Sequence, residues 1–175
     1  DIETVAQYGA HVIHCPRSNM KLASGACPVK KFKDAGVNVA LGTDGAASNN
    51  KLNGLAEMQA ASLLAKLESK DPTAMAARDT IQMATLDGAR ALGLDHVTGS
   101  LEPGKSADFI ALDFTHLGME PNHQIESNLV YANLGSEVTW SWIAGKNVVK
   151  NRQLQTLDSD ALHHKAAAWR GKLSP

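Results

Sequence analysis

The chain has 175 residues, of which 43% are hydrophobic and 20% charged, with a formal charge of -1. That is one domain, or part of a larger one, and it falls short of the about 250 residues that a closed eight-stranded α/β barrel needs. With 17 Lys+Arg against 18 Asp+Glu there is no basic surplus to neutralise phosphates, which excludes nucleic acid as the expected partner. No apolar run approaches the roughly 20 residues of a membrane span, and the opening DIETVAQYGA lacks the basic region of a signal peptide. The expectation is a soluble, cytoplasmic protein. Cys15 and Cys27 are too few for a disulfide scaffold and read as small buried or loop thiols.

Taken in order, Ile2, Val5 and Ala6 have helical spacing before Gly9, and His11 to Cys15 then reads as a short strand ended by Pro16. Pro28, Val29, Phe32 and Ala35 form a second short helix closed by Gly36, and Val37 to Leu41 forms the next strand. This nearly continuous apolar run suits a parallel strand covered on both faces, so the alternation argues for α/β. Between the units, Pro16 to Cys27 is expected to be a loop, longer than the roughly two to six residues usual for a strand-to-helix connection.

A helix is predicted from about Leu52 to Leu67, burying Leu52, Leu55, Ala56, Ala60, Leu63, Leu64 and Leu67. Ala74 to Leu92 is helical in two segments, with Gly88 marking a break or close packing. From Gly99 the character turns to β: Leu101 to Gly104 is a turn, Asp108 to Asp113 a strand, and Glu137 to Lys150 a hairpin around Gly145-Lys146-Asn147. Leu157 to Leu173, capped by Asp158 or Ser159, is a terminal helix. Trp140, Trp142 and Trp169 are packing residues or, if exposed, contact residues.

Gly42-Thr43-Asp44-Gly45 is the leading chemical feature, because Asp44 lies where the apolar strand ends. In parallel α/β folds that edge carries active sites. A carboxylate there, followed by Ser48, Asn49 and Asn50, suits a metal ligand and proton acceptor; an Asx turn or helix cap accounts for it equally well. Arg17, Ser18, Asn19, Lys21 and Ser24 are substrate contacts or a solvated loop. His11 and His14 lie three apart on a strand and face opposite ways, His14 toward a pocket and His11 into structure. His14, Cys15 and Cys27 lack zinc-ligand spacing; His163 and His164 read as surface residues, and His96, His116 and His123 as turn or loop residues.

The stretches HCPRSNMKLASG, GVNVALGTDGAASNN, MATLDGARALGL and GSLEPGKSADFIALD together resemble the last third of the metal-dependent amidohydrolase superfamily, nearest to the 5-methylthioadenosine/S-adenosylhomocysteine deaminases. The resemblance implies the C-terminal portion of a (β/α)8 barrel, its last two strand-helix units, with part of a small β-sandwich and a terminal helix. The corresponding segments are 1–95, 96–157 and 158–175. It also implies one divalent metal ion, with zinc first and manganese or iron also suited, and a small purine nucleoside as substrate. Asp44 matches the family's strand-eight aspartate, which ligates the metal, accepts the proton of the hydrolytic water and contacts substrate; Ser48 and Asn19 are weaker substrate contacts.

The family's His-x-His pair, its further histidines and its glutamate belong to earlier strands and are absent here. This chain is therefore expected to need a missing N-terminal part and to be inactive alone. A homo-oligomer is one assembly open to it. Alternatives are another ring-directed member, such as a triazine chlorohydrolase or guanine deaminase, and a non-catalytic remnant.

Overall fold

The computed structural model describes residues 1–132 and 138–173. Two helix-to-strand units open the chain: α1 (Ile2–Gln7) leads to β1 (Val12–His14), and α3 (Val29–Asp34) leads to β2 (Val39–Leu41). The strands pair in parallel, Val12 opposite Val39 and His14 opposite Leu41. The residues expected to form a loop after β1 instead begin with α2 (Pro16–Lys21), with Pro16 at its first position and Ser18 buried. Proline starts a helix there without loss, since its fixed φ is helical and its missing N–H has no partner in a first turn.

Next come α4 (Gly54–Ser69), α5 (Ala77–Ala84) and α6 (Leu86–Ala91). The buried positions of α4 are Glu57, Met58, Ala61, Ser62 and Ala65. The predicted leucine stripe is rotated off this face: Leu52, Leu63 and Leu67 are exposed. Small residues on the buried face let α4 approach β2 and α5 closely, a fit that leucines would prevent. The break between α5 and α6 falls at Thr85, whose φ and ψ are -125° and -93°, and Gly88 stays inside α6. Val29, Val39, Ala65, Met75 and Met83 form the core, with Val12, Phe32 and Leu41 packed against it.

The chain divides into two compact units, one drawn from Asp1–Lys105 and Phe114–Glu137, the other from Ser106–Asp113 and Val138–Pro175. This differs from a boundary at residue 95, because α7 (Ile125–Tyr131) returns to the first unit. There Val130 is fully buried, the Tyr131 carbonyl accepts from Gln59 Nε2 at 2.8 Å, and the Tyr131 hydroxyl lies 2.7 Å from Ser62 Oγ. Both partners of Tyr131 are on α4.

The second unit is a four-stranded antiparallel sheet, β3 (Phe109–Leu112), β4 (Val138–Ile143), β5 (Lys146–Lys150) and β6 (Gln153–Leu154), followed by α8 (Ser159–Leu173). The hairpin turn is Ala144-Gly145, both with positive φ, one residue earlier than expected. Glu137 lies outside the described residues. Trp140 and Trp142, two apart on β4, stack at 5.6 Å, and Phe109 stacks on Trp142 at 4.6 Å. Asp158 caps α8, its Oδ1 accepting from the backbone N–H groups of Asp160 and Ala161 at 2.9 and 3.0 Å.

Candidate functional site

Val39 and Leu41 turn inward from β2 and fix its height on the core, so the loop that follows starts from a rigid point. Gly42 keeps the strands close there: a Cβ at this position would sit 2.8 Å from Ile13 Cγ2 and 3.0 Å from Cys15 Sγ. Asp44 then adopts a left-handed backbone, φ 59°. Asp tolerates that region better than most residues, and such a conformation at a strand end is a recurrent feature of functional sites.

Two hydroxyls converge on one oxygen of this carboxylate. Ser18 Oγ, from α2, and Ser48 Oγ, from the loop after Asp44, each donate to Asp44 Oδ2 at 2.6 Å. Ser18, Ser48 and the Gly45 N–H hold the Asp44 carboxyl below its ordinary range, in that order of effect. Asp44 is thus an anion near neutral pH without any cationic side chain among these causes.

Behind the serines lies Glu57 on α4, fully buried. Its Oε1 accepts from Asn49 Nδ2 at 2.7 Å and its Oε2 from the Arg17 backbone N–H at 3.2 Å; Arg17 Nε stands 3.5 Å from Oε1. Asn49 Nδ2 also donates to the Thr43 carbonyl at 2.9 Å. Burial pushes the Glu57 carboxyl up, against the opposing pull of the Arg17 N–H, Asn49 and the Arg17 charge. Lys21 secures the same loop by donating to Ala47 O at 2.9 Å and Asn50 Oδ1 at 2.8 Å. An open cavity of about 350 Å³ lies here, bordered by Arg17, Met20, Lys21, Ser48, Asn49 and Lys51 among others.

Of the site residues expected from sequence, Asp44 and Ser48 are brought together and Asn19 is not: Asn19 Nδ2 points to Gly25 O at 3.4 Å, within its own segment. Ser18, one place earlier, is the α2 residue that touches Asp44. The expected orientation of the two histidines is corrected. His11 is exposed, whereas His14 is 2% exposed on the strand face of core-packed Val12, with Nε2 unpaired and its pKa lowered to about 4 by burial. Alternation along β1 sends His14 toward the helices. Glu57 escaped sequence reading because a glutamate between Ala56 and Met58 resembles a solvated helix position; its i+4 and i+8 neighbours Ala61 and Ala65 were the available sign.

Among the described residues no group of three or more His, Cys, Asp or Glu is placed to hold a metal ion. The ionised Asp44 fits the role of one ligand, where a catalytic zinc site takes about three from protein.

Residues 1–148 match the amidohydrolase family. The 5-methylthioadenosine/S-adenosylhomocysteine deaminase of Teredinibacter turnerae is 54% identical over 99% of this chain and 39% of its own length. Its counterpart in Saccharophagus degradans is 48% identical with the same coverage, so the chain spans about 39% of the length of these relatives. An adenosine deaminase from Xanthomonas campestris, solved with bound zinc, superposes with a TM-score of 0.95 at 46% identity, over 98% of this chain and 39% of that one. A zinc complex of an atrazine chlorohydrolase from Arthrobacter aurescens gives 0.89 at 25% identity, over 95% and 37%.

Proposed function

The chain belongs to the amidohydrolase family, and from that membership we propose that it is the C-terminal part of a zinc-dependent deaminase. The substrate is 5-methylthioadenosine or S-adenosylhomocysteine, and Asp44 is the catalytic carboxylate. The observation that carries this reading is the Ser18–Asp44–Ser48 clamp at the C-terminal end of a parallel strand, the edge where α/β barrels assemble active sites. In this proposal β1 and β2 are the last two barrel strands, the sheet of β3 to β6 is part of a β-sandwich, and residues outside this chain complete both.

Asp44 holds one ligand position of the zinc site, and the remaining ligands come from outside these residues. The bound ion supplies Lewis-acid activation of water. Asp44, ionised near neutral pH and oriented by its serines, accepts the proton that water loses as its oxygen bonds to the ring carbon. The carboxyl then delivers that proton to the departing amino group, so that one water is consumed and one ammonia released. Ser48 borders both Asp44 and the cavity, which supports it as a substrate contact; Asn19 rests on its place in α2 alone. This chain alone is inactive in the same reading. A cytoplasmic setting is part of the same proposal; among the described residues no helix is long and apolar enough to cross a membrane.

The relatives at 54% and 48% identity favour a purine nucleoside over a triazine, whose hydrolase shares 25%. Ammonia release by the full-length protein from 5-methylthioadenosine and S-adenosylhomocysteine, compared with guanine and with chloride release from atrazine, decides the matter. A higher kcat/KM for guanine or atrazine would sink the assignment, and no turnover of any of them would support a non-catalytic remnant.

A further inference from the structure

Asp44 and the two serines that hold it each lie next to a residue bonded within one network centred on Glu57. Ser18 follows Arg17, whose backbone N–H donates to Glu57 Oε2 at 3.2 Å. Ser48 precedes Asn49, whose Nδ2 donates to Glu57 Oε1 at 2.7 Å. Thr43 precedes Asp44 itself, and its carbonyl accepts from the same Asn49 nitrogen at 2.9 Å. Glu57 is fully buried, and a carboxylate in that environment is costly unless every partner is in place. An apolar side chain in the same slot of α4 would spare that cost, so packing alone does not account for a glutamate.

We propose that Glu57, acting through Asn49 and Arg17, is a positioning residue that sets the two serines and hence the direction of the Asp44 carboxylate toward its metal. The inference rests on the deaminase reading for the identity of the ligand and on the hydrogen-bond geometry for the role. Glu57 bridges two separate segments, α2 and the loop after β2, which otherwise meet at Asp44 Oδ2 and through the exposed Lys21 side chain on Ala47 O and Asn50 Oδ1. With the bridge intact both hydroxyls reach one oxygen at 2.6 Å. Without it only the exposed Lys21 side chain ties the two segments beyond the clamp, and the serines lose their common buried anchor although the strand below stays packed.

The test uses the full-length, zinc-loaded protein. Glu57→Gln keeps the volume but places an amide donor against the Arg17 N–H. Competition with a chromophoric chelator should show zinc bound about 10–100-fold more weakly, with kcat for 5-methylthioadenosine down by a similar factor. KM should stay within about twofold, as for a lost transition-state alignment. Asn49→Ala, which removes the donor shared by Glu57 and Thr43, should show the same pattern, and the double variant should be no worse than the more severe single one.

Val130→Ala, at a buried position of α7 remote in sequence from the clamp, supplies a protein of lowered melting temperature that should keep wild-type zinc affinity. Wild-type zinc affinity in Glu57→Gln overturns the proposal, as does equal zinc loss in Val130→Ala. Should Glu57→Gln fail to fold, Asn49→Ala decides alone, and wild-type zinc affinity there overturns the proposal. If the wild-type protein binds zinc but turns over neither nucleoside, the substrate assignment fails while the zinc comparison still tests Glu57.

Discussion

The hydroxyls on Asp44 lower the pKa of a carboxyl that is ionised near neutral pH in any case, so what they chiefly add is direction. Two Oγ atoms at 2.6 Å on one carboxylate oxygen leave little freedom of rotation, which is the preorganisation that proton transfer and metal ligation both reward. Asp44→Asn in the full-length protein should therefore lower kcat about 10²–10⁴-fold, the usual worth of a general base; undiminished ammonia release would remove Asp44 from the mechanism. His14 makes a different prediction. Its pKa is lowered from 6.5 to about 4 while buried, so between those values the unfolded chain takes up a proton that the folded chain refuses. Stability should fall as pH drops through that window, by at most roughly 3 kcal/mol, and should be indifferent to His14 above it. Denaturant melts of wild type and His14→Leu from pH 7.5 to 4.5 check this: the difference between them should shift toward the variant on acidification, and a constant difference would refute it. Asp44 was legible from sequence because a Gly-Thr-Asp-Gly run follows an apolar strand, a local pattern. Glu57 was not, since its burial depends on which side of α4 meets the strands, a tertiary fact.

At the scale of elements, α4 connects the core to the site: Ala61 and Ala65 on its buried face let the helix close on its neighbours, and Glu57, one turn before Ala61, bonds Arg17 and Asn49 beside the clamp. Its start is set by Asn53, whose Oδ1 accepts from the Leu55 and Ala56 N–H groups at 3.0 and 3.3 Å. Asn53→Ala should cost about 1 kcal/mol, read as a lower denaturation midpoint with an unchanged m-value. Gly42 sets the closeness of β1 and β2. Gly42→Ala should cost about 1–3 kcal/mol as an overpacked site, and a variant as stable as wild type would show that Ile13 and Cys15 yield freely. The helix-strand order of the first unit was readable because each element carries its own start and stop residues. The facing of α4 was not, because seven apolar residues scattered over about four turns define a helix but leave its rotation to whatever it packs on. The early helix α2 was hidden for the opposite reason, since six residues with one proline carry too little periodicity to separate helix from loop.

For the whole molecule, the shortfall against a full barrel has a chemical counterpart: among the described residues no group of three His, Cys, Asp or Glu is placed to hold a metal ion, and the proposed site has Asp44 alone. In the proposed deaminase, zinc would tie this segment to ligands elsewhere, and ligand binding stabilises by RT ln(1 + [L]/Kd), about 4 kcal/mol at a thousandfold excess over Kd. Chelation of the full-length protein should abolish ammonia release and lower the melting temperature; Asp44→Asn should shrink that thermal shift, and an unchanged shift would place the metal away from Asp44. The mixed α/β character was legible, whereas the return of α7 to the first unit was not, because it depends on Tyr131 finding Ser62 and Gln59 about 70 positions earlier. The stacked indoles have an optical consequence. All three tryptophans, Trp140, Trp142 and Trp169, lie in the sheet unit, and both tyrosines, Tyr8 and Tyr131, lie in the other. Within these residues, light absorbed at the red edge of the aromatic band interrogates the unit of β3 to β6 and α8; loosening of α4 is reported by the phenol of Tyr131, through its contact with Ser62.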